Sequence, residues 1–257
     1  MCSSDLKMID GTYENVPQSM VLQRVNAALT ADSASSFGFT LSAMDRHGGA
    51  LKGQGRVAYD EAANSWVADI AGSLDNLVAL NRDDLSAALT GEVSYKGPVG
   101  AGTLSGKIEA RRAEFRIDQT GPPPVPLLRA ADATQAEARN PRTGRARQKP
   151  RAIALDLRVA INEPMRVDGR GLNSWWRGNL VIVGTVNAVD IVGRMEVDRG
   201  NFNFIGQTFT LESGTLTFTG GGRIDPEMNV DGTRETADIV ATATLTGTTS
   251  APKVELS

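Results

Sequence analysis

Few side chains in this sequence have the types and spacing that catalysis requires. The 257-residue chain has one histidine, His47, in the polar turn sequence Asp45–Gly49, and one cysteine, Cys2, near its start. A histidine in a glycine-rich turn is usually solvated rather than catalytic. No cluster of cysteine and histidine has the spacing of a zinc site. We therefore predict a protein that is not an enzyme and that needs no metal and no cofactor.

Three further motifs have residue types that could bind phosphate or transfer protons, but the residues around them do not fit either role. Gly53–Ala58 matches the loose pattern G-x-G-x-x-A, but it continues as an alternating strand sequence, whereas a dinucleotide site needs a helix there. Gly220–Gly222 lacks the Lys-Ser/Thr of a phosphate loop. The adjacent acids Asp83–Asp84 are typical of a solvated turn. None of these motifs therefore predicts an active site.

Composition argues against two further classes of function. The net charge is -3 and the pI is about 5.4, so no overall positive field attracts nucleic acid. The sequence contains no run of about 18 apolar residues that could span a membrane as a helix. Glycine accounts for 27 residues, which favours many turns. We therefore predict a turn-rich chain with no nucleic-acid partner.

The stretch 155–218 carries the strongest structural pattern. Its apolar residues recur at every second position, with polar residues such as Arg158, Arg194 and Glu196 between them. Successive side chains of a β-strand point to opposite faces, so this pattern predicts half-buried strands that share one apolar face. The predicted apolar row consists of Leu155, Leu157, Val159, Ile161, Leu180, Ile182, Ile191, Met195, Val197, Phe202, Phe204, Phe209, Leu211, Leu216 and Phe218.

Glycine-containing pairs and a weak repeat suggest that these strands follow one another as hairpins. The pairs at 168–169, 199–200, 205–206 and 213–214 predict short connections. In the repeat, Gly184 is followed seven positions later by Ile191, and Gly247 is followed seven positions later by Val254. A repeated strand–turn–strand unit favours an elongated, stacked architecture over a closed globule.

The first part of the chain has a weaker pattern. From Phe37 onward, alternation predicts strands over 37–41, 51–59, 66–70, 91–95 and 103–117. The segments 74–80 and 83–89 are predicted to form short helical turns. Nearer the N-terminus, the spacing of four apolar residues predicts one side of a short helix. These four residues are Met20, Leu22, Val25 and Leu29.

A segment rich in proline and arginine separates two β-rich regions. Pro122–Pro124 cannot donate to a strand ladder, and 130–150 contains several arginines but almost no large apolar residue. A segment with nothing to bury cannot offset its ordering entropy, so we predict a disordered basic loop. The alternative is a polybasic patch for phosphate head groups. The composition favours the solvated loop.

The adjacent Trp175 and Trp176 follow a turn sequence at 168–171. The simpler interpretation is that one indole packs into the apolar row and the other caps the turn. The functional interpretation is an aromatic anchor at a lipid-facing edge.

A series of motifs spans the second half of the chain: Asn162–Leu172, Trp175–Gly178, Leu180–Thr185, Gly193–Phe204, Phe209–Phe218, Asp225–Pro226 and Gly247–Leu256. In order, spacing and residue type they resemble the C-terminal region of the TamB family (translocation and assembly module subunit TamB), within the wider AsmA-like and bridge-like lipid transfer proteins. Residues 80–118 fit more loosely, and the match is faint before about residue 75. Val189 stands where the family usually has proline, and the basic loop is longer than expected.

The resemblance implies a fold and a location. The fold would be all-β, an elongated open twisted sheet rolled into a half-pipe with an apolar concave groove. The protein would belong to the periplasm and cell envelope of a Gram-negative bacterium, anchored in the inner membrane by an N-terminal helix. That helix and the family's final segment are missing, so we expect an internal fragment. Its expected divisions are a non-native leader at 1–6, an upstream β region at 7–118, the flexible loop at 119–151 and a C-terminal-type β domain at 152–257.

The resemblance also implies phospholipid transport between the two membranes and an outer-membrane barrel partner of the TamA/BamA type, and it allows for unfolded outer-membrane protein clients. The predicted apolar row would then line the groove. Exposing one CH₂ group to water costs about 0.8 kcal/mol, so an acyl chain with roughly a dozen such groups costs on the order of 10 kcal/mol to carry through water. An uncovered apolar trough would remove most of that cost.

Three other functions remain open at this point. The open sheet edge could pair with a strand of a client, which would make the chain a scaffold for assembly and secretion of outer-membrane proteins and autotransporters. A secreted β-solenoid adhesin would bury the same apolar row inside a closed coil. A plain β-sandwich with no inferable function would pack the row against a second sheet.

Overall fold

The structure is a computed structural model that describes residues 5–16, 19–117, 152–204, 206–222, 224–235 and 240–257. The predicted basic loop at 130–150 lies outside these residues. Fourteen strands form one sheet, and the described residues contain no α-helix. The strands are β1 (Asp5–Asn15), β2 (Met20–Ser33), β3 (Ser36–Asp45), β4 (Ala50–Asp60), β5 (Ser65–Asn81), β6 (Leu85–Pro98), β7 (Thr103–Arg116), β8 (Ala154–Gly169), β9 (Leu172–Thr185), β10 (Ala188–Phe204), β11 (Gln207–Thr219), β12 (Glu227–Glu235), β13 (Val240–Thr248) and β14 (Ala251–Leu256).

The strands lie side by side in sequence order, from β1 at one edge to β14 at the other. Every neighbouring pair is antiparallel except β7 and β8, which run parallel, with Thr103 beside Ala154. The two edge strands do not pair with each other, so the sheet is open. This arrangement confirms the all-β prediction, whereas the rolled half-pipe shape remains a prediction.

The predicted N-terminal helix is wrong, because Met20–Ser33 forms strand β2 between β1 and β3. The register shifts between Gln23 and Asn26, where Arg24 has a φ of 49°. A β-bulge adds one residue to a strand, so apolar residues on one face become three apart instead of two. Leu22 and Val25 are spaced in this way, and both are buried. The bulge therefore imitates helical spacing in the sequence.

The predicted helical turns at 74–80 and 83–89 are wrong for a related reason. They belong to strands β5 and β6. The register of this pair shifts between Leu74 and Leu77, and Asn76 at this bulge has a φ of 50°. The two leucines again lie three positions apart on one side of the sheet.

Two of the four predicted connections are found at turns, and two are not. Gly169 ends β8 before a turn, and Gly206 lies in a turn between β10 and β11. In contrast, Gly200 and Gly214 lie inside β10 and β11, just after register shifts. Glycine can mark a bulge inside a strand as well as a turn, and the sequence does not distinguish the two.

The two copies of the weak repeat form equivalent hairpins. Gly184 has a φ of 90° and pairs with Val189, and Gly247 has a φ of 93° and pairs with Pro252. Two residues further along each strand from the turn, Ile182 pairs with Ile191 just as Leu245 pairs with Val254. The repeat is therefore a genuine strand–turn–strand unit.

Candidate functional site

Cross-strand pairing places all residues of the predicted apolar row on one face of the sheet. Directly paired residues of neighbouring strands point to the same side, as do alternate residues of one strand. Val159 pairs with Leu180, Leu180 with Gly193 and Gly193 with Phe218. We call this side the apolar face, and the side that carries Arg158, Arg194 and Glu196 the polar face.

The apolar face extends beyond the stretch in which the sequence predicted it, back to β3. Four rows of paired residues cross the strands, and they contain no charged residue. The first row runs Phe39–Gly55–Ile70–Tyr95–Leu104–Leu155–Gly184, and the second Leu41–Gly53–Gly72–Val93–Gly106–Leu157–Ile182–Ile191. The third runs Leu51–Leu74–Gly91–Ile108–Val159–Leu180–Gly193–Phe218, and the fourth includes Ile161–Gly178–Met195–Leu216–Met228.

Glycines within the rows explain why the first half of the face was missed. Gly91 and Gly193 have φ angles of 148° and 142°. A Cβ atom at Gly91 would lie 2.2 Å from the carbonyl oxygen of Lys107, and one at Gly193 would lie 2.3 Å from that of Asn179. Only glycine fits at these two positions. In the sequence such glycines interrupt the apolar alternation, although in the sheet the row continues on the next strand.

The face divides into two parts that differ in burial. The open strip consists of the first two rows, in which every residue is half-buried except Gly184, which is exposed. The packed strip consists of side chains that bury one another at the other end of the strands. They are Ile161, Trp176, Met195, Leu211 and Val230, each between 2% and 8% exposed.

A band of β-bulges accompanies the packed strip. Bulges bend strands and increase their twist, which lets side chains of one sheet pack against each other. Register shifts in the second half of the sheet separate Ile161 from Met165, Val197 from Arg199, and Leu211 from Ser213. The open strip lies on the far side of this band, where the pairing is regular. Bulges therefore coincide with burial, and regular pairing coincides with exposure.

The two tryptophans lie on opposite faces. Trp176 is 2% exposed in the packed strip, and its Nε1 donates to Ser174 Oγ at 2.7 Å. This confirms that one indole packs into the apolar face. Trp175 does not cap a turn, because it pairs with Arg166 and Arg199 inside the sheet. The Arg199 guanidinium lies 4.6 Å from the centre of the Trp175 ring on the polar face.

Candidate catalytic groups do not converge in the described residues. His47 donates its backbone N–H to Asp45 Oδ1 at 2.7 Å in an exposed turn. Burial raises the pKa of Asp45, but the N–H groups of Val78, Gly49 and His47 outweigh burial and hold this pKa below its ordinary value of 3.8. No cluster of three potential metal ligands occurs in the described part of the chain. Within the same part, no helix is long and apolar enough to cross a membrane.

The fold and this face define an all-β protein with one open sheet and one apolar side that is crossed by four charge-free rows of paired residues. The model of the TamB C-terminal domain matches residues 39–257. The match covers most of the chain, so the chain belongs to the TamB family, and the predicted resemblance is confirmed. The match begins well before residue 75, where the motif agreement had become faint. The family comprises non-enzymatic modules of the Gram-negative cell envelope that work with TamA-like outer-membrane partners.

Proposed function

We propose that the apolar face shields phospholipid acyl chains, so that this chain forms a segment of a lipid path between the inner and outer membranes. The absence of charge from the four rows supports the proposal. With neighbouring strands about 4.8 Å apart, the second row extends for about 34 Å across the eight strands from β3 to β10. This length exceeds the roughly 15 Å that the acyl chains of one bilayer leaflet span.

The open strip is the part that would contact lipid. Its side chains are half-buried and lie among glycines, so each contact is shallow. Each shielded CH₂ group would contribute about 0.8 kcal/mol, and the sum over an acyl chain would keep the lipid on the protein without a tight site. The half-pipe shape, an inner-membrane anchor in the full-length protein and a barrel partner of the TamA/BamA type belong to the same proposal.

Site-specific photo-crosslinking in cells tests this function. A photoreactive residue at Leu157 or Ile182, both in the open strip, should capture phospholipid. The matched controls are Val181 and Glu196, which lie on the polar face of β9 and β10. Equal capture of lipid at the two sets of positions would contradict the proposal. The substitution Ile182→Asp should abolish capture at Leu157, while Val181→Asp should leave it unchanged.

An open edge supports a second candidate function, the assembly of outer-membrane proteins. Strand β14 pairs only with β13 among the described strands. Thr242 and Ser257 exchange both backbone hydrogen bonds, at 2.8 and 3.0 Å. In an antiparallel pair such residues alternate with residues whose N–H groups point outward, so Val254 and Leu256 offer free donors to a client strand. Pro252 occupies the preceding outward position and has no N–H, which limits the available edge.

Proline substitutions separate the two functions. Val254→Pro removes an outward donor and should impair client assembly without changing lipid capture at Ile182, if the edge templates clients. Glu255→Pro, which removes a donor to β13 instead, controls for damage to the sheet. Normal assembly of outer-membrane proteins by the Val254→Pro variant would reject the scaffold function.

A further inference from the structure

A pocket of about 790 Å³ lies on the polar face, opposite the proposed lipid surface. Five strands, β4 to β8, supply its walls. One row of directly paired side chains crosses it. This row consists of Lys52, Ser73, Glu92, Lys107 and Arg158.

Two cations stand side by side in this row. Lys107 pairs with Arg158 across the parallel strands β7 and β8, which lie about 4.8 Å apart. Like charges that face each other directly destabilise a sheet. Other arginines of the polar face are offset by carboxylates, as Arg194 is by Glu196 at 3.3 Å.

Among the described residues no carboxylate forms a close ion pair with either cation of the pocket, although Glu92 pairs with Lys107 from β6. Within the described residues, ion pairs up to 4.0 Å involve neither Lys107 nor Arg158, and they do not involve Lys52. The repulsion between Lys107 and Arg158 is therefore only partly offset, because the other neighbour of Arg158 in this row is Val181, and a bound anion would relieve the rest.

We propose that this pocket binds a phosphate group between Lys107 and Arg158. The guanidinium presents a planar pair of donors to two phosphate oxygens, while the ammonium acts as a compact charge. Ser94 and Ser105 line the pocket in the adjacent row, and their hydroxyl oxygens lie 3.0 Å apart. One of the two hydroxyls donates its only proton to the other, so the second hydroxyl can donate to a ligand that has only acceptors.

The acids of the pocket define the size of the anion that it accepts. Glu92 faces Lys107 from β6, and Asp156 precedes Arg158 by two residues on β8. Their charges confine the positive potential to the junction of Lys107 and Arg158. A single phosphate group fits this arrangement, whereas an extended polyanion would meet both carboxylates. The same chemistry is offered by a free phosphate and by a phospholipid head group.

Calorimetric titration of the 257-residue chain with inorganic phosphate tests the site. The wild type should bind, and Lys107→Gln and Arg158→Gln should each weaken binding about tenfold or more. The control Arg194→Gln, on the same face but outside the pocket, should bind phosphate as the wild type does.

The outcomes are decisive in both directions. If the wild type does not bind phosphate, or if Arg194→Gln loses binding as fully as Lys107→Gln, the proposal is wrong. Where binding is confirmed, sedimentation with phosphatidylglycerol vesicles identifies the source. If the wild type binds the vesicles and Lys107→Gln does not, the natural ligand is a lipid head group. If the wild type does not bind them, or if Lys107→Gln binds them equally, the ligand is a free phosphate.

Discussion

The packed strip and the open strip of the apolar face contain the same kinds of residue but differ in what surrounds them. Met195 in the packed strip is 2% exposed, whereas Leu157 and Ile182 in the open strip are half-buried. Both strips belong to one sheet that no second layer covers in the described residues. The difference follows the bulges, since bent strands let neighbouring side chains bury each other. Alternation therefore produces a core where the strands bend and an available surface where they remain regular.

This comparison assigns stability to one strip and ligand contact to the other. Burial of large side chains contributes most of the free energy of folding, and the packed strip contains the large buried groups. The open strip contributes less to folding and keeps apolar area available. Substitutions in the two strips should therefore separate loss of stability from loss of lipid contact.

The largest expected effect is at Trp176. Trp176→Ala would leave a cavity in the packed strip and remove the donor to Ser174 Oγ, which is fully buried. Truncations of this kind cost about 3–5 kcal/mol, measured as the free energy of unfolding in urea. The matched control is Trp175→Ala on the polar face, where the indole contacts Arg199. This control should cost about 1 kcal/mol, the value of an exposed cation–π contact. Equal costs at the two positions would contradict the division of the sheet into a packed and a polar side.

The next effect concerns Asp45, beside a second packed cluster formed by Leu22, Val25, Ala43 and Leu77. Asp45 is 7% exposed and accepts N–H groups from His47, Gly49 and Val78 at 2.7, 2.8 and 2.7 Å. An asparagine offers only one acceptor oxygen, so Asp45→Asn should cost about 1–3 kcal/mol. Because the pKa of Asp45 is lowered in the folded state, its contribution is complete above the unfolded value of 3.8 and is lost as pH falls through the folded value.

Asp225 provides the contrast in an exposed loop at the opposite end of the strands. The hydroxyls of Ser250 and Thr249 lower the pKa of this carboxyl to about 2. Asp225→Asn should therefore have a smaller effect than Asp45→Asn, and that effect should persist until the pH approaches 2. Urea unfolding between pH 2 and pH 7 measures both. A larger loss at Asp225 would show that the exposed loops, rather than the packed end, hold the sheet together.

The sequence predicted the second half of the apolar face well, because the alternation there is almost uninterrupted. From Leu155 to Phe218 each predicted row residue lies on the expected face. The first half was missed where glycines such as Gly53 and Gly72 stand in the row. A glycine adds nothing to an apolar pattern along one strand, and the row is visible only when neighbouring strands are paired.

Bulges were the second source of error. Leu22 and Val25 are three residues apart, a spacing that a helix and a bulged strand share. The residues between Leu22 and Val25 are polar, as they would be in either a helix or a bulged strand, so residue type did not distinguish the two structures. The bulge depends on a residue with positive φ, Arg24, whose type gives no signal for it.

The smallest expected effect on stability is also the one that most directly tests the open strip. Leu157→Ala should cost only about 1 kcal/mol, because a half-buried leucine loses roughly half of the 1.5–3 kcal/mol that full burial contributes. Ile161→Ala, four residues further along the same face of β8, removes a side chain that is 4% exposed and should cost about 2–5 kcal/mol. The amount of lipid retained by the purified chain, measured by mass spectrometry, should fall clearly in Leu157→Ala, although the free energy of unfolding of this variant changes little. If Leu157→Ala destabilises the protein as much as Ile161→Ala does, the open strip is core, and the surface on which the proposed lipid path depends does not exist.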